Sequence, residues 1–234
     1  MRDINLIFLH GWLFDSRIWN GLDKLFVDFN TQKCDLPGYG KNYSSRLSHD
    51  EYCFDLLSEA KKPLVVIAWS YGGILALNHF IAYNTIEKLI LINTNLNIKN
   101  NKNIFLNTES IEKLKISLLK NKSMAIKRFI YECTKNSKYR KTNYKKIVTE
   151  FDICSLPDTR TLLENLDFIK KNKKLDLSQE KNKNILYIDT DKENFTNHKD
   201  ALSFEKKVYI DNLGHIPFIN GNKSIYKSII NFIQ

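Results

Sequence analysis

Val65-Val66-Ile67-Ala68-Trp69-Ser70-Tyr71-Gly72-Gly73-Ile74-Leu75-Ala76-Leu77 changes rhythm at its middle. Leu64 to Trp69 is a short, unbroken apolar run rich in branched side chains and entered through Pro63, the pattern of a strand buried on both faces. Ile74 to Leu77 then take up helical spacing. One hydroxyl, that of Ser70, stands at the change, with small residues at 68, 72 and 73. A strand-to-helix turn this tight pushes the serine oxygen out at the carboxyl edge of a sheet. There the amides that open the following helix face the same space. The spacing is that of G-x-S-x-G with Ala68 in place of the first glycine.

Strand and helix signals alternate on both sides of this stretch. Strands are expected over 4–9, 29–34 and 86–92, and again over 184–188 and 207–210. Ser16 is expected to cap a helix over 17–26, with Ile18, Trp19, Leu22, Leu25 and Phe26 on one face. Ser48 and Glu51 have the spacing of a capping box for a helix over 49–60, and a last helix is expected over 222–233. This alternation predicts an α/β fold, a mostly parallel sheet with helices on both faces. Between 96 and 174 the periodicity is helical throughout. Its marks are Leu114, Leu118 and Leu119; Ala125, Ile126, Phe129 and Ile130; Ile147, Val148 and Phe151; and Leu162, Leu163, Leu166, Phe168 and Ile169. Residues 1–95 and 175–234 are therefore expected to form the core, and 96–174 an all-helical cap inserted in it.

The 234 residues are 43% apolar and 26% charged, which suits one α/β domain with an insertion. The net charge of +10 is concentrated: residues 99–174 hold 19 Lys or Arg against 8 Asp or Glu, and the rest 17 against 18. A basic segment of this kind is either a solvated lysine surface or a docking face for an acidic protein, an anionic membrane or nucleic acid. Cys34, Cys53, Cys133 and Cys154 show neither C-x-x-C nor metal-site spacing, and read as reduced thiols of a cytoplasmic protein. The amino terminus runs straight into a strand without room for a signal peptide, and no apolar run nears the ~20 residues of a membrane span. No phosphate loop or metal-ligand cluster is visible, so no cofactor is expected.

A serine nucleophile needs a base, and the base needs a carboxylate. His215, directly after the last strand in Asp211-Asn212-Leu213-Gly214-His215-Ile216-Pro217-Phe218, is the candidate base. Asp189 and Asp191, at the end of the preceding strand, are the candidate acids, with Glu193 more distant. His49, His79 and His198 lie in or beside helices and read as surface or packing residues. The oxyanion would take one amide from Tyr71, after the nucleophile, and another from Trp12 in the loop His10-Gly11-Trp12.

Four segments carry a resemblance. Phe8-Leu9-His10-Gly11-Trp12, Asp35-Leu36-Pro37-Gly38-Tyr39-Gly40, Trp69-Ser70-Tyr71-Gly72-Gly73 and Gly214-His215-Ile216-Pro217-Phe218 resemble the α/β-hydrolase superfamily. Within it they are similar to the pimeloyl-acyl-carrier-protein methyl ester esterases of biotin synthesis, as are Lys127-Arg128-Phe129 and Ser155-Leu156-Pro157 in the cap. The resemblance implies hydrolysis of the methyl ester on a pimeloyl chain held by acyl carrier protein. It implies catalysis by Ser70, His215 and Asp191, the acid loop being shortened by one residue, with Asp189 as the alternative. Trp12, Trp69, Tyr71 and Phe218 would wall the acyl site. The acidic carrier protein would be the partner, docked on Lys127, Arg128, Arg140, Lys141, Lys145 and Lys146 of a monomer that binds neither nucleic acid nor membrane. Three features depart from the family pattern: Ala68 in the elbow, the missing glycine of the acid loop, and a chain that begins at what is usually the third strand. Alternative readings are a general carboxylesterase or another serine-dependent member acting on small acyl esters, and a non-catalytic binding protein. Dehalogenases and epoxide hydrolases fit less well, because they carry aspartate where Ser70 stands.

Overall fold

The computed structural model describes residues 2–96, 105–151, 157–172, 179–191, 194–196 and 203–234. Its six strands are β1 (Arg2–Leu9), β2 (Phe29–Cys34), β3 (Leu64–Trp69), β4 (Lys88–Ile92), β5 (Ile185–Thr190) and β6 (Lys206–Ile210). They form one sheet in the order β2-β1-β3-β4-β5-β6, with every pairing parallel. All six residues of β3 and of β5 are buried, as uninterrupted apolar strands require when helices cover both faces. At the edges, β2 buries only Phe29 and Cys34, and β6 is largely exposed, which is why its apolar signal is weak. The strand order reverses between β1 and β3, and the crevice outside the carboxyl ends of such a pair is where α/β sheets bind ligands. Leu9 pairs with Ala68 there, so the loops that carry Trp12 and Ser70 leave the sheet side by side.

The helices of the core follow the expected spacing. α1 (His49–Glu59) opens with the complete Ser48–Glu51 capping box, and α2 (Tyr71–Ala82) leaves β3 directly. One expectation is corrected: 17–26 is not a helix but two short 3-10 turns, Ser16–Trp19 and Asp23–Leu25. Local acceptors compete with the helical ladder here. The Asp15 carboxylate, not Ser16, takes the Arg17 amide (2.9 Å), and Asp23 takes those of Gly21 (3.1 Å) and Lys24 (2.9 Å). Ile18, Trp19, Leu22 and Phe26 still reach the core, so the apolar pattern was selected by burial and not by helix formation.

Between β4 and β5 the chain forms α3 (Thr108–Lys120), α4 (Lys122–Thr134), α5 (Arg140–Glu150) and α6 (Thr159–Lys171). α3 packs on α4 and α6, and α4 on α5. The buried stripe of α3 runs through Ile111, Leu114 and Leu118, whereas Leu119 is 70% exposed. A short turn of helix, α7 (Gln179–Asn182), precedes β5, and α8 (Lys223–Ile233) closes the fold on Ile225, Ile229, Phe232 and Ile233. Cys34 and Cys53 are buried free thiols, and Cys133 is buried. No described helix is long and apolar enough to cross a membrane. Cys154, Ser155, Leu156, Glu193 and His198 lie outside the described residues.

Candidate active site

Ser70 occupies the turn between β3 and α2 with φ 53° and ψ −116°, a backbone conformation rarely held by a residue with a Cβ. Its neighbours hold it there. The Ser70 amide donates to Ile92 O (3.0 Å), and Ser70 O accepts from the amides of Gly73 (3.0 Å) and Ile74 (3.3 Å). The two glycines are required by contact. A Cβ on Gly72 would sit 2.4 Å from His10 O, and one on Gly73 only 2.1 Å from Thr94 Oγ1. Ala68 is wholly buried in β3, where a methyl is accommodated. Tyr71 is the first residue of α2, so its amide is among those that a helix leaves without an intrahelical acceptor.

His215 comes to this serine across 145 residues of sequence: its Nε2 is 3.2 Å from Ser70 Oγ. The imidazole is 2% exposed and lies stacked on Phe195, with ring centroids 4.1 Å apart and planes at 16°. Its backbone is held as well. His215 O accepts from Trp69 Nε1 (2.9 Å) and Asn93 Nδ2 (3.1 Å). Neither Phe195 nor Asn93 stood out in the sequence, since a phenylalanine in a polar loop and an asparagine at a strand end are both common.

The two candidate acids are placed differently. Asp191 follows the last residue of β5, is exposed, and its carboxylate accepts the amide of Asn212, three residues before His215. Asp189 is wholly buried within β5 and accepts the Thr190 amide (2.9 Å). Strand alternation turns Asp189 to the face opposite Thr190, whose hydroxyl donates to Gly214 O (2.8 Å) beneath the histidine.

The loop after β1 approaches the serine closely. A Cβ on Gly11 would lie 2.8 Å from the Trp69 ring and 3.2 Å from Ser70 Cβ. His10, fully buried, sets the peptide that follows Gly11. Its Nε2 accepts the Leu36 amide (3.0 Å), so its Nδ1 carries the proton and donates to Gly11 O (2.9 Å). Burial lowers the pKa of this imidazole and keeps it neutral, as both bonds require. With the Gly11 carbonyl held by His10, the trans peptide sends the Trp12 N–H in the opposite direction.

Around the site the side chains divide into packing and bridging groups. Phe218 is wholly buried, stacked on Trp19 at 4.2 Å and edge-on to Trp69 at 5.4 Å. It therefore supports the back of Trp69, a core position and not the acyl wall that was expected. Trp12 packs edge-on against Phe129 of α4 (4.6 Å) and donates Nε1–H to Leu162 O of α6 (3.0 Å). Tyr71 reaches α6 too, its hydroxyl lying 3.4 Å from Asn165 Oδ1 and 2.9 Å from His49 Nδ1. His49 Nε2 donates to Pro37 O (2.8 Å), so Nδ1 accepts from Tyr71; burial lowers its pKa to about 4. His79 meets Thr85 Oγ1 at 2.6 Å and is likewise lowered to about 4 by burial.

Between α3 and α4 lies a cavity of about 430 Å³ lined in part by Phe105, Leu114, Arg128, Phe129 and Asn194. Its Phe129 touches both Trp12 and Phe195, the ring stacked on His215. Of the predicted docking cations, Lys127, Arg128, Arg140, Lys141 and Lys145 are exposed. Lys146 is instead committed to the core, donating to Ile219 O (2.9 Å) and Asn220 Oδ1 (3.3 Å). Among the described residues no group of three or more His, Cys, Asp or Glu is placed to hold a metal ion.

Comparison with known proteins agrees with this architecture. The family model described as "Alpha/beta hydrolase family" matches residues 6–117. The enol-lactonase from Burkholderia xenovorans LB400 superposes with a TM-score of 0.78 at 15% identity, covering 100% of this chain and 92% of that one. The chain has the α/β-hydrolase fold, with the serine turn and the histidine loop following β3 and β6. In sequence it is similar to the pimeloyl-[acyl-carrier protein] methyl ester esterases. The relative of that name from Wigglesworthia glossinidia brevipalpis is 28% identical over 182 residues, 71% of this chain and 66% of its own length. The one from Pseudoalteromonas atlantica is 28% identical over 174 residues, 71% of this chain and 67% of its own. The matched segments thus span about two thirds of those relatives.

Proposed function

We propose that the chain is a serine carboxylesterase that hydrolyses the methyl ester of pimeloyl-[acyl-carrier protein], freeing the pimeloyl carboxylate. The observation that carries the reading is the approach of His215 Nε2 to Ser70 Oγ, 3.2 Å apart at the topological switch of the sheet. In the first step Ser70 Oγ bonds to the ester carbonyl carbon while its proton passes to His215 Nε2. The amides of Trp12 and Tyr71 stabilise the oxyanion, a contribution of ~2.7–4 kcal/mol per donor in known cases. Collapse breaks the bond to the methoxy oxygen, which leaves as methanol with the proton from His215. Water, deprotonated by the same histidine, then releases the acid and restores Ser70.

Asp191 is the carboxylate of this scheme, favoured by its place after β5 and its bond to the loop that carries His215; Asp189 is the alternative. In this reading the acyl chain enters by the cavity at Phe129, a ring that packs on Trp12. The names of the similar relatives support an acyl chain delivered on acyl carrier protein. The exposed Lys127, Arg128, Arg140, Lys141 and Lys145 suit docking of that acidic protein in the cytoplasm. A general esterase of small acyl esters is the second reading, since the serine and histidine are common to both.

Assay of the purified protein on pimeloyl-acyl-carrier-protein methyl ester beside short p-nitrophenyl esters separates the two. Ser70→Ala should abolish turnover of both with the fold intact; normal turnover in that variant would overturn the esterase reading. Asp191→Asn is expected to lower kcat far more than Asp189→Asn, and the reverse order would move the acid to Asp189.

A further inference from the structure

The end of β4 contributes a side chain to the catalytic histidine loop. Asn93 is wholly buried, leaves β4 with φ 42°, and its backbone amide donates to Ile188 O (3.0 Å). Its Nδ2 lies 3.1 Å from each of Thr190 Oγ1, Gly214 O and His215 O. Two of these partners are carbonyls and accept only, so the amide nitrogen, not the oxygen, must face them. The Thr190 hydroxyl spends its own proton on Gly214 O (2.8 Å), and the two N–H groups of Asn93 are shared among Thr190 Oγ1 and the two carbonyls. Trp69 Nε1 adds a second donor to His215 O (2.9 Å).

The consequence is geometric. Gly214 has φ 67°, and a turn through that region is free to pivot unless its peptide planes are held. The carbonyls of residues 214 and 215 are each gripped by two donors, which fixes the planes on either side of the His215 Cα and hence the direction of its Cβ. From the sheet, Asn93 and Thr190 thus aim the imidazole whose Nε2 stands 3.2 Å from Ser70 Oγ. We infer that Asn93, with Thr190, is a positioning residue for His215, a buried amide–hydroxyl clamp without which the base loses its register on the serine. This rests on the reading of His215 as the base.

The test uses Asn93→Asp, Asn93→Gly and Thr190→Val in the full chain. Asn93→Asp keeps shape and tolerance of positive φ but turns an oxygen on two carbonyls; Asn93→Gly keeps the backbone and removes the donor. Both should lower kcat for a p-nitrophenyl ester by roughly 30–300-fold, because a misplacement of about 1 Å costs on the order of 10²-fold. KM should stay within about twofold, since no substrate contact is lost. A folded Asn93→Gly with kcat within about threefold of wild type would overturn the inference. Were both Asn93 variants unable to fold, Thr190→Val decides: kcat about tenfold lower at constant KM supports the clamp, and unchanged kcat refutes it.

The His215 ring resonance in histidine-labelled protein, assigned with His215→Gln, gives a readout that needs no turnover. Broadening or doubling of that signal in Asn93→Gly supports the clamp, and an unaltered signal overturns it. If wild type neither hydrolyses esters nor reacts with a fluorophosphonate, the esterase reading fails while this signal still judges the clamp.

Discussion

Alanine at position 73 would collide with the first residues after β4, and the size of the penalty follows from the contacts. The new methyl would stand 2.1 Å from Thr94 Oγ1, 2.8 Å from Cγ2 and 3.0 Å from Cβ. Thr94 is wholly buried and its carbonyl holds the Tyr187 hydroxyl (2.7 Å), so it has no solvent to swing into. Overpacking of this kind costs ~1–3 kcal/mol. For a chain of this length that corresponds to a fall in melting temperature of roughly 2–12 °C. Thr94→Ala removes the two nearest atoms and leaves only Cβ at 3.0 Å. The double variant should therefore recover most of the loss, with a coupling of about 1–2 kcal/mol in the cycle. Urea unfolding of the four proteins measures the cycle. Fluorophosphonate labelling of Ser70, run in parallel, should slow in Gly73→Ala and recover in the double variant, because α2 carries both Gly73 and the Tyr71 amide. A Gly73→Ala protein as stable as wild type, or strictly additive substitutions, would refute the contact as the reason for the glycine.

His10→Ala leaves the Leu36 amide without its acceptor and takes from the Gly11 carbonyl one of its two donors, the Phe14 amide (3.3 Å) remaining, and so loosens the peptide that presents the Trp12 N–H. Turnover of a p-nitrophenyl ester is expected to fall ~10²–10³-fold with little change in KM, as when an oxyanion donor is lost; a loss under about threefold would count against that role. His49 gives a pH signature. Burial holds its folded pKa at about 4 against an ordinary 6.5, so the unfolded chain takes up the proton first as pH falls. Its contribution is complete above pH 6.5 and is lost between there and 4, by up to about 3 kcal/mol. His49→Gln should flatten that part of the stability profile measured by urea unfolding, and an unchanged slope would exclude His49 as its source.

Much of this architecture was legible because buried strands and tight turns leave local marks. The run Leu64–Trp69, the Ser48–Glu51 box and the four helices α3 to α6 each carry a periodicity or a cap that depends on near neighbours alone. Ser70 and Gly73 were readable for the same reason. What the pattern could not give were contacts across the sheet. Asn93 meets Gly214 over 121 residues and Trp12 meets Leu162 over 150, and neither leaves a trace in its own segment. The stretch 17–26 misled because Ile18, Trp19, Leu22 and Phe26 repeat at helical spacing while Asp15 and Asp23 divert the amides. Lys146 shows the limit of charge counting: one cation in a basic row is spent on Ile219 O, and only the fold reveals which.

The bonds of α6 bear on how far this protein is built from interchangeable parts. Leu162 holds the indole of Trp12, while the Phe168 ring meets that of Tyr71, so one helix braces both residues proposed to supply the oxyanion amides. Asn165 of the same helix donates to the Tyr39 hydroxyl (2.8 Å). In sequence α6 follows α3 to α5 between β4 and β5, yet by its contacts it belongs with the loops beside Ser70. A chimera that exchanged all of α3 to α6 with the corresponding helices of a protein of the same fold would carry away two struts of the candidate site. A viable graft boundary lies ahead of α6, leaving α3 to α5 as the portion free to be exchanged.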